Sequence, residues 1–181
     1  MGDPRLLQVS RATSEGDGLA DLVRDLFDTM AASGGCGLAA PQIGVPLRVV
    51  VYGLESPPDD SGRCALPDTV LINPVVLPLA AERDYAWEGC LSLPGMAGLV
   101  PRHRRVRLQA RDLDGNTIDR DVDGFEARVI QHECDHLDGV LYPWRITNLQ
   151  QFGFVEELRQ HGVMTSEPRP EEAQRPDPDT L

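Results

Sequence analysis

The stretch Gln131-His-Glu-Cys-Asp-His-Leu-Asp-Gly139 decides how this chain is interpreted, because it places a metal-binding pattern on a helix that ends at glycine. His132 and His136 are one helical turn apart, so both imidazoles lie on one side of the helix and can bind one metal ion. Glu133 stands beside them, where its carboxylate can accept a proton from a water on that metal. A pattern this short also occurs by chance, on helices whose two histidines are ordinary surface residues.

The segment before this pattern favours a partly buried helix. The helix is predicted to begin near Gly124, because Asp123 and Glu126 have the spacing of a capping box. Phe125 and Val129 fall on the same face as the two histidines of the pattern. Exposed histidines would not normally continue an apolar stripe, so the metal-binding interpretation is favoured.

A hydrolytic metal site needs a third protein ligand and one open coordination position. The metzincin pattern requires a histidine at position 142, which is Tyr142, so that class is excluded. A thermolysin-like zinc endopeptidase would use a downstream glutamate, and Glu156 and Glu157 lie at a suitable distance along the chain. The other candidate is Cys90, which stands between a glycine and a Leu-Ser-Leu-Pro turn. Residue spacing alone does not decide whether one of the two glutamates or the cysteine is the third metal ligand.

The remaining patterns predict few helices among several short strands. Apolar residues at three- and four-residue spacing predict a helix over residues 17–31. Strands are predicted over 47–52 and 70–79, a hairpin from 104–110 and 117–122, and a third, shorter helix over 148–160. We therefore expect an α+β fold.

Composition narrows the class of protein. The 181 residues carry a net charge of −12, and all 17 basic residues are arginine. This excess of acidic groups argues against a protein that coats nucleic acid, and the absence of lysine excludes a catalytic lysine. No apolar run is long enough for a membrane span or a secretory signal, and the four cysteines form no C-x-x-C pair. We expect a cytoplasmic protein with reduced thiols.

The chain divides into two parts by composition. Residues 1–165 are expected to form the catalytic domain. Residues 166–181 are an acidic tail with four prolines, seven charged residues and almost nothing apolar. Such a segment cannot offset its ordering entropy by burial, so we expect it to be disordered.

Three segments, in order and spacing, resemble the signature motifs of the peptide deformylase family. They are Gly35-Cys-Gly-Leu-Ala-Ala-Pro-Gln-Ile-Gly44, Glu88-Gly-Cys-Leu-Ser-Leu-Pro94 and the 131–139 stretch, and the resemblance covers roughly residues 4 to 160. It implies short antiparallel sheets and hairpins packed around a central metal-binding helix. It also implies one metal ion held by Cys90, His132 and His136, and removal of the formyl group from the initiator methionine of new polypeptides.

The resemblance further implies roles at the reacting group. The metal lowers the pKa of a bound water, Glu133 accepts the proton of that water, and the water attacks the formyl carbon. The resemblance assigns stabilisation of the oxyanion that forms to two hydrogen-bond donors, the side-chain amide of Gln42 and the backbone N–H of Leu91.

The substrate pocket is implied by the same resemblance. Residues expected to line the methionine pocket are Phe125, Val129 and His132 from the helix, with Gly89 and Cys36 from the loops. Gly37 is expected to present its backbone carbonyl to the substrate.

The implied cofactor is one divalent metal, Fe²⁺ in this family, with Zn²⁺, Ni²⁺ or Co²⁺ able to substitute. The implied partners are N-formyl-methionyl nascent peptides and, transiently, the ribosome, although an acidic tail replaces the basic C-terminal helix of some members. We expect no direct contact with nucleic acid and no membrane association. The alternatives are the zinc endopeptidase, a metal-stabilised binding module, and a family member without activity. Glu133 argues against a purely structural metal site, which has no use for a general base.

Overall fold

A computed structural model describes residues 1–14, 17–55 and 64–165 of the chain. The helices and strands are, in order, α1 Leu19–Ser33, β1 Gly37–Ala39, β2 Val49–Leu54, β3 Leu66–Pro78, β4 Arg83–Cys90, β5 Leu93–His103, β6 Arg105–Arg111, β7 Thr117–Asp123, α2 Gly124–Leu137, β8 Phe152–Phe154 and α3 Val155–Gln160. The predicted α+β fold is confirmed. The acidic tail, residues 166–181, lies outside the described residues, and its predicted disorder stays a prediction.

Internal contacts divide the chain into two compact units. Among the described residues, the first comprises those of Met1–Arg83 and Arg102–Leu141, and the second comprises those of Asp84–Pro101 and 142–165. The expectation of one catalytic domain over residues 1–165 stays a prediction.

The first unit is built on a five-stranded antiparallel sheet with the strand order β1-β2-β3-β6-β7. The predicted hairpin is present: β6 and β7 pair from Arg105 opposite Asp123 to Arg111 opposite Thr117. In β6, Val106 and Leu108 point into the core while Arg105 and Arg107 lie on the opposite face. This alternation is what a strand with one buried face requires.

Helix α2 is the central helix of the first unit. It contacts β1, β2, β3, β6 and β7, and its apolar residues Val129, Ile130 and Leu137 are buried in the same cluster as Tyr52. Helix α1 covers a second cluster and ends at a glycine: Gly34 adopts the left-handed conformation.

The capping box predicted for the N-terminus of α2 is wrong. Asp123 precedes the helix but makes no side-chain hydrogen bond to it. The carboxylate of Glu126 instead accepts hydrogen bonds from the Arg120 guanidinium and the Tyr52 hydroxyl. Arg120 offers the carboxylate two N–H donors and an opposite charge, whereas the backbone of Asp123 offers one neutral N–H.

The second unit contains a three-stranded sheet with the order β4-β5-β8, which the sequence did not predict. The predicted helix over 148–160 is also wrong at its first half. Residues 149–151 form a 3-10 turn, residues 152–154 form β8, and only Val155–Gln160 is α-helical. The chain here pairs with β5, with Gly153 opposite Ala97, so its backbone groups bond to a sheet edge instead of to one another.

Strand β3 is longer than predicted and continues through Asn73-Pro74. At Asn73 the pairing of β3 with β6 changes register, between Ile72 and Val75. Asn73 has a φ of 50°, in the left-handed region, and its side chain accepts a hydrogen bond from the Thr13 backbone N–H at 2.8 Å.

Candidate metal centre and active site

Helix α2 presents the two histidines and the glutamate of the 131–139 stretch from consecutive turns. The rings of His132 and His136 have centroids 5.2 Å apart, as a one-turn separation predicts. His136 is buried and His132 half-buried. Glu133 is only 6% exposed, so its carboxylate acts in an environment from which bulk water is largely excluded.

Strand β1 passes directly against the carboxylate of Glu133. A Cβ atom added to Gly37 would stand 2.6 Å from Oε1 of Glu133, closer than real Cβ contacts allow. Position 37 therefore has to be glycine if the carboxylate is to keep its place, which is the close backbone approach that glycine permits.

Gln42 lies in the 3-10 turn Ala40–Ile43, which follows β1. Its Oε1 accepts a hydrogen bond from the Ala39 backbone N–H at 2.8 Å. Because the oxygen is engaged, the orientation of the side-chain amide is fixed and its NH₂ group is directed as a donor. Gly44 ends the turn with a φ of 85°.

Cys90 is the last residue of β4 and is half-buried. The Ser92 backbone N–H donates to its sulfur at 3.4 Å. Leu91 stands in the turn between β4 and β5 with its side chain 40% exposed. A Cβ on Gly89 would make an ordinary contact of 3.5 Å with the Met96 carbonyl, so local packing does not require glycine there.

One group of potential metal ligands stands out in the described part of the chain. The ligand atoms of Cys90, His132 and His136 all lie within 4.8 Å of one another. A thiolate with two imidazoles is a donor set suited to Zn²⁺, Fe²⁺ and related divalent ions. The endopeptidase candidates Glu156 and Glu157 are exposed in the first turn of α3, and neither belongs to the group.

Three of the residues expected to line the methionine pocket from the first unit share one hydrophobic cluster. Val129 is buried in that cluster, and Cys36 and Phe125 are partly buried against it. The third cysteine of the region, Cys134, is buried on α2. Burial raises the pKa of its thiol well above the ordinary value, so Cys134 stays protonated and unreactive.

Two supporting contacts of α2 were missed by sequence reasoning. Arg102 donates to the buried carboxylate of Asp135 at 2.5 Å, and Gln131 exchanges hydrogen bonds with both backbone groups of His103. The partners are about 30 residues apart in the sequence, so no local spacing indicates them. The one available signal was the four-residue spacing of Gln131 and Asp135, which places both on one helix face.

Comparison with known proteins bears on what this site does. A family model described as Polypeptide deformylase matches residues 1–152. The chain belongs to the peptide deformylase family. Peptide deformylase 1 of Nitrosomonas europaea is 54% identical over 160 residues, covering 87% of this chain and 91% of that protein. Peptide deformylase 2 of Bordetella bronchiseptica is 51% identical over the same coverage of both chains.

Solved deformylase structures agree with the fold. The class I type b peptide deformylase from Acinetobacter baumannii, bound to Met-Ala-Ser, gives a TM-score of 0.73 at 32% identity, covering 80% of this chain and 95% of that chain. The Synechococcus elongatus enzyme in complex with actinonin gives 0.74 at 36% identity, covering 94% of this chain and 87% of that chain.

As a peptide deformylase, the chain is a metal-dependent hydrolase that removes N-formyl groups from nascent peptides. The predicted family and reaction are thereby confirmed, and the zinc endopeptidase alternative loses its support. Across the residues that the structure describes, no helix is both long and apolar enough to cross a membrane.

Proposed function

We propose that Cys90, His132 and His136 hold the divalent metal and that Glu133 is the general base of deformylation. The observation that carries this proposal is the grouping of the three ligand atoms within 4.8 Å, with Glu133 next to one of the ligands in sequence. A divalent ion bound there would supply the positive charge that brings the pKa of a bound water toward neutrality.

Glu133 then moves the proton. Its carboxylate accepts a proton from the attacking water, whose oxygen forms the new bond to the formyl carbon. Glu133 returns that proton to the amine nitrogen as the carbon–nitrogen bond breaks, and the products are formate and a free amino terminus. The burial of Glu133 keeps bulk water from competing for this proton.

Gln42 and Leu91 stabilise the oxyanion that develops on the formyl oxygen. The Gln42 amide is supported in this role by the bond from Ala39, which orients its NH₂ group before the substrate arrives. Leu91 contributes its backbone N–H from the turn that follows Cys90. Preorganised donors of this kind cost no reorganisation during the reaction.

The substrate side chain is held by the apolar residues around α2. The Acinetobacter enzyme binds the peptide Met-Ala-Ser, which starts with the residue that deformylation exposes. By this likeness we assign the methionine pocket to Phe125, Val129, His132, Cys36 and Gly89. The carbonyl of Gly37 accepts a hydrogen bond from the substrate backbone.

The native metal, the location and the partners of the protein are assigned from the family and from the surface charge. We assign Fe²⁺ as the native metal, with Zn²⁺, Ni²⁺ or Co²⁺ as substitutes, and the cytoplasm, where nascent peptides are made, as the location. Transient contact with the ribosome would deliver the substrate. Direct nucleic-acid binding is disfavoured, because Arg107 already pairs with Asp119 at 2.6 Å and with Asp121 at 3.0 Å.

Measurement of metal content distinguishes the assigned ligand Cys90 from the alternative ligand Glu156. Cys90→Ala should lose tightly bound metal, whereas Glu156→Gln should retain it at the wild-type level. Each protein is also assayed for formate release from a formyl-Met peptide and for cleavage of an internal peptide bond. Metal loss in the Glu156 variant with metal retention in the Cys90 variant would overturn the ligand assignment.

A further inference from the structure

Three polar side chains tie the first turn of α2 to the sheet, and the deformylation mechanism uses none of them. Arg120 of β7 donates to Glu126 twice, to Oε1 at 2.5 Å and to Oε2 at 3.1 Å. The Tyr52 hydroxyl of β2 donates to Oε1 of Glu126 at 2.8 Å, and Arg120 donates to that hydroxyl at 3.1 Å. We refer to Tyr52, Arg120 and Glu126 as the first-turn network.

The protonation states of the first-turn network suit these bonds. Burial and the hydrogen bond to Glu126 raise the pKa of Tyr52 to about 12, so its hydroxyl remains a donor throughout the neutral range. Burial acts to raise the pKa of Glu126, but the bonds from Arg120 and Tyr52 outweigh it and the pKa is lowered. Glu126 is therefore a charged acceptor held by two donors.

Two members of the first-turn network, Glu126 and Tyr52, adjoin segments that carry residues assigned to the methionine pocket. Glu126 follows Phe125 directly and precedes Val129 by less than one helical turn. Tyr52 pairs with Gly37 across β1 and β2, and the next residue, Gly53, donates its N–H to the Cys36 carbonyl at 3.1 Å. Tyr52, Val129, Phe125 and Cys36 also belong to one hydrophobic cluster.

The metal-ligand end of α2 has separate anchors. Glu133 lies seven residues beyond Glu126, about 10 Å along the helix axis. The C-terminal end is held by Arg48, which donates to Asp138 at 2.6 Å, and by the Ser10 N–H, which donates to the Leu137 carbonyl at 2.8 Å. Loosening the first turn therefore displaces Phe125 and Val129 before it disturbs the histidines.

We propose that Tyr52, Arg120 and Glu126 are positioning residues that set the width of the methionine pocket, and through it the preference for methionine over small side chains. This inference rests on the proposed assignment of Phe125, Val129 and Cys36 to that pocket. The network fixes the distance between the first turn of α2 and the β1–β2 pair. A pocket held at one width discriminates by contact with the long side chain, and a loosened pocket loses that contact.

Two variants test the proposal, with a matched control. Tyr52→Phe removes one hydroxyl from a buried ring, and Arg120→Gln removes the charge at a position that is 43% exposed. The control is Arg107→Gln, because Arg107 is 41% exposed and also bridges two carboxylates, but between β6 and β7 only. Turnover is measured with formyl-Met-Ala-Ser and formyl-Ala-Ala-Ser, and binding of the product peptides Met-Ala-Ser and Ala-Ala-Ser by calorimetry.

Both network variants should raise the KM for the methionine peptide about 3- to 10-fold while kcat stays within about twofold. The alanine peptide should change little, so the ratio of the two kcat/KM values should fall at least about threefold. The Kd of Met-Ala-Ser should rise in parallel. Metal content, and all values for the control, should match wild type.

Three results would overturn the proposal. One is an unchanged methionine-to-alanine ratio in both variants, and another is an equal fall in kcat for both peptides. The third is loss of metal from folded Arg120→Gln, which would show that the network positions the metal site. If Tyr52→Phe does not fold, the methionine-to-alanine ratio of Arg120→Gln alone decides whether the proposal holds. Failure of the underlying pocket assignment is recognised separately, since Val129→Ala would then leave the wild-type preference for methionine unchanged.

Discussion

Among single residues, Glu133 offers the clearest test of chemistry, because one atom can be exchanged without a change of shape. Glu133→Gln is nearly isosteric, so packing and metal content should be retained. The amide cannot accept the proton of the attacking water, and the rate of formate release should fall about 10²- to 10⁴-fold. Metal analysis and a formate assay on the same preparation check both parts. A variant within a few-fold of wild type would show that deformylation needs no protein base.

Gly37 should be as sensitive as Glu133, for a steric reason. In Gly37→Ala the new methyl group would lie 2.6 Å from Oε1 of Glu133, so the carboxylate has to move. Displacement of a reacting group by about 1 Å can cost about 10²-fold, and we expect kcat to fall about 10- to 100-fold.

The matched control is another strand glycine, Gly153. A Cβ there meets Leu158 at an ordinary 3.7 Å, so Gly153→Ala should keep kcat within about twofold of wild type. Equal effects of the two substitutions on kcat would mean that loss of strand flexibility, and not the contact with Glu133, explains the Gly37 result.

At the scale of elements, the C-terminal end of α2 depends on Arg48. Its guanidinium lies 2.6 Å from the Asp138 carboxylate and also donates to the Leu137 carbonyl. Its positive charge therefore stabilises the negative, C-terminal end of the helix dipole. Arg48→Met keeps the apolar stem but removes the charge, and the free energy of unfolding should fall by about 1–2 kcal/mol. Urea denaturation measures this change.

The control for Arg48 is Arg24, which pairs with Asp21 and Asp25 on the exposed surface of α1. Arg24→Met should change the free energy of unfolding by no more than about 0.5 kcal/mol, since exposed pairs contribute little. A loss of similar size in both variants would contradict a specific role for Arg48 at the helix end.

Elements with a regular hydrophobic period could be predicted from the sequence, and the others could not. Helix α2 and the β6–β7 hairpin have clear periods, and their bounds differ from the predicted ones by a residue or two. Strands β4 and β5 do not, because glycine and proline interrupt the alternation between residues 89 and 101. Strand β8 exists because the edge of β5 accepts it, which no local pattern records.

The same distinction holds for the candidate site. His132, His136 and Glu133 could be named from one short motif, because a metal site constrains residue types at fixed spacing. Spacing left Cys90 open against Glu156 and Glu157, and only the family resemblance singled it out. The first-turn network could not, since Tyr52 and Glu126 are 74 residues apart and the local capping pattern pointed to another partner for Glu126. Tertiary contacts with a charged donor overrode the local preference.

For the whole molecule, charge is distributed so that basic residues are neutralised where they cluster. On the outer face of the β6–β7 hairpin, Arg105 and Arg107 each pair with aspartates of the neighbouring strand. The hairpin therefore offers no continuous cationic surface, although its sequence is rich in arginine. A net charge of −12 gives the chain as a whole no general attraction for polyanions.

Residues 166–181 should contribute little to the activity of the whole chain. All three motifs end by Gly139, and the family model matches no further than residue 152, so the catalytic groups precede the tail. The tail has four prolines, five acidic side chains and two arginines, and Leu181 is its only large apolar residue. Deleting it should leave kcat/KM for a short formyl-Met peptide within about twofold, since a solvated segment adds little transition-state binding. The matched control replaces the tail by a Gly-Ser segment of equal length, which keeps the chain length but removes the charge. A tenfold loss in both proteins would show that the acidic tail takes part in substrate binding, and the expectation of a dispensable tail would be wrong.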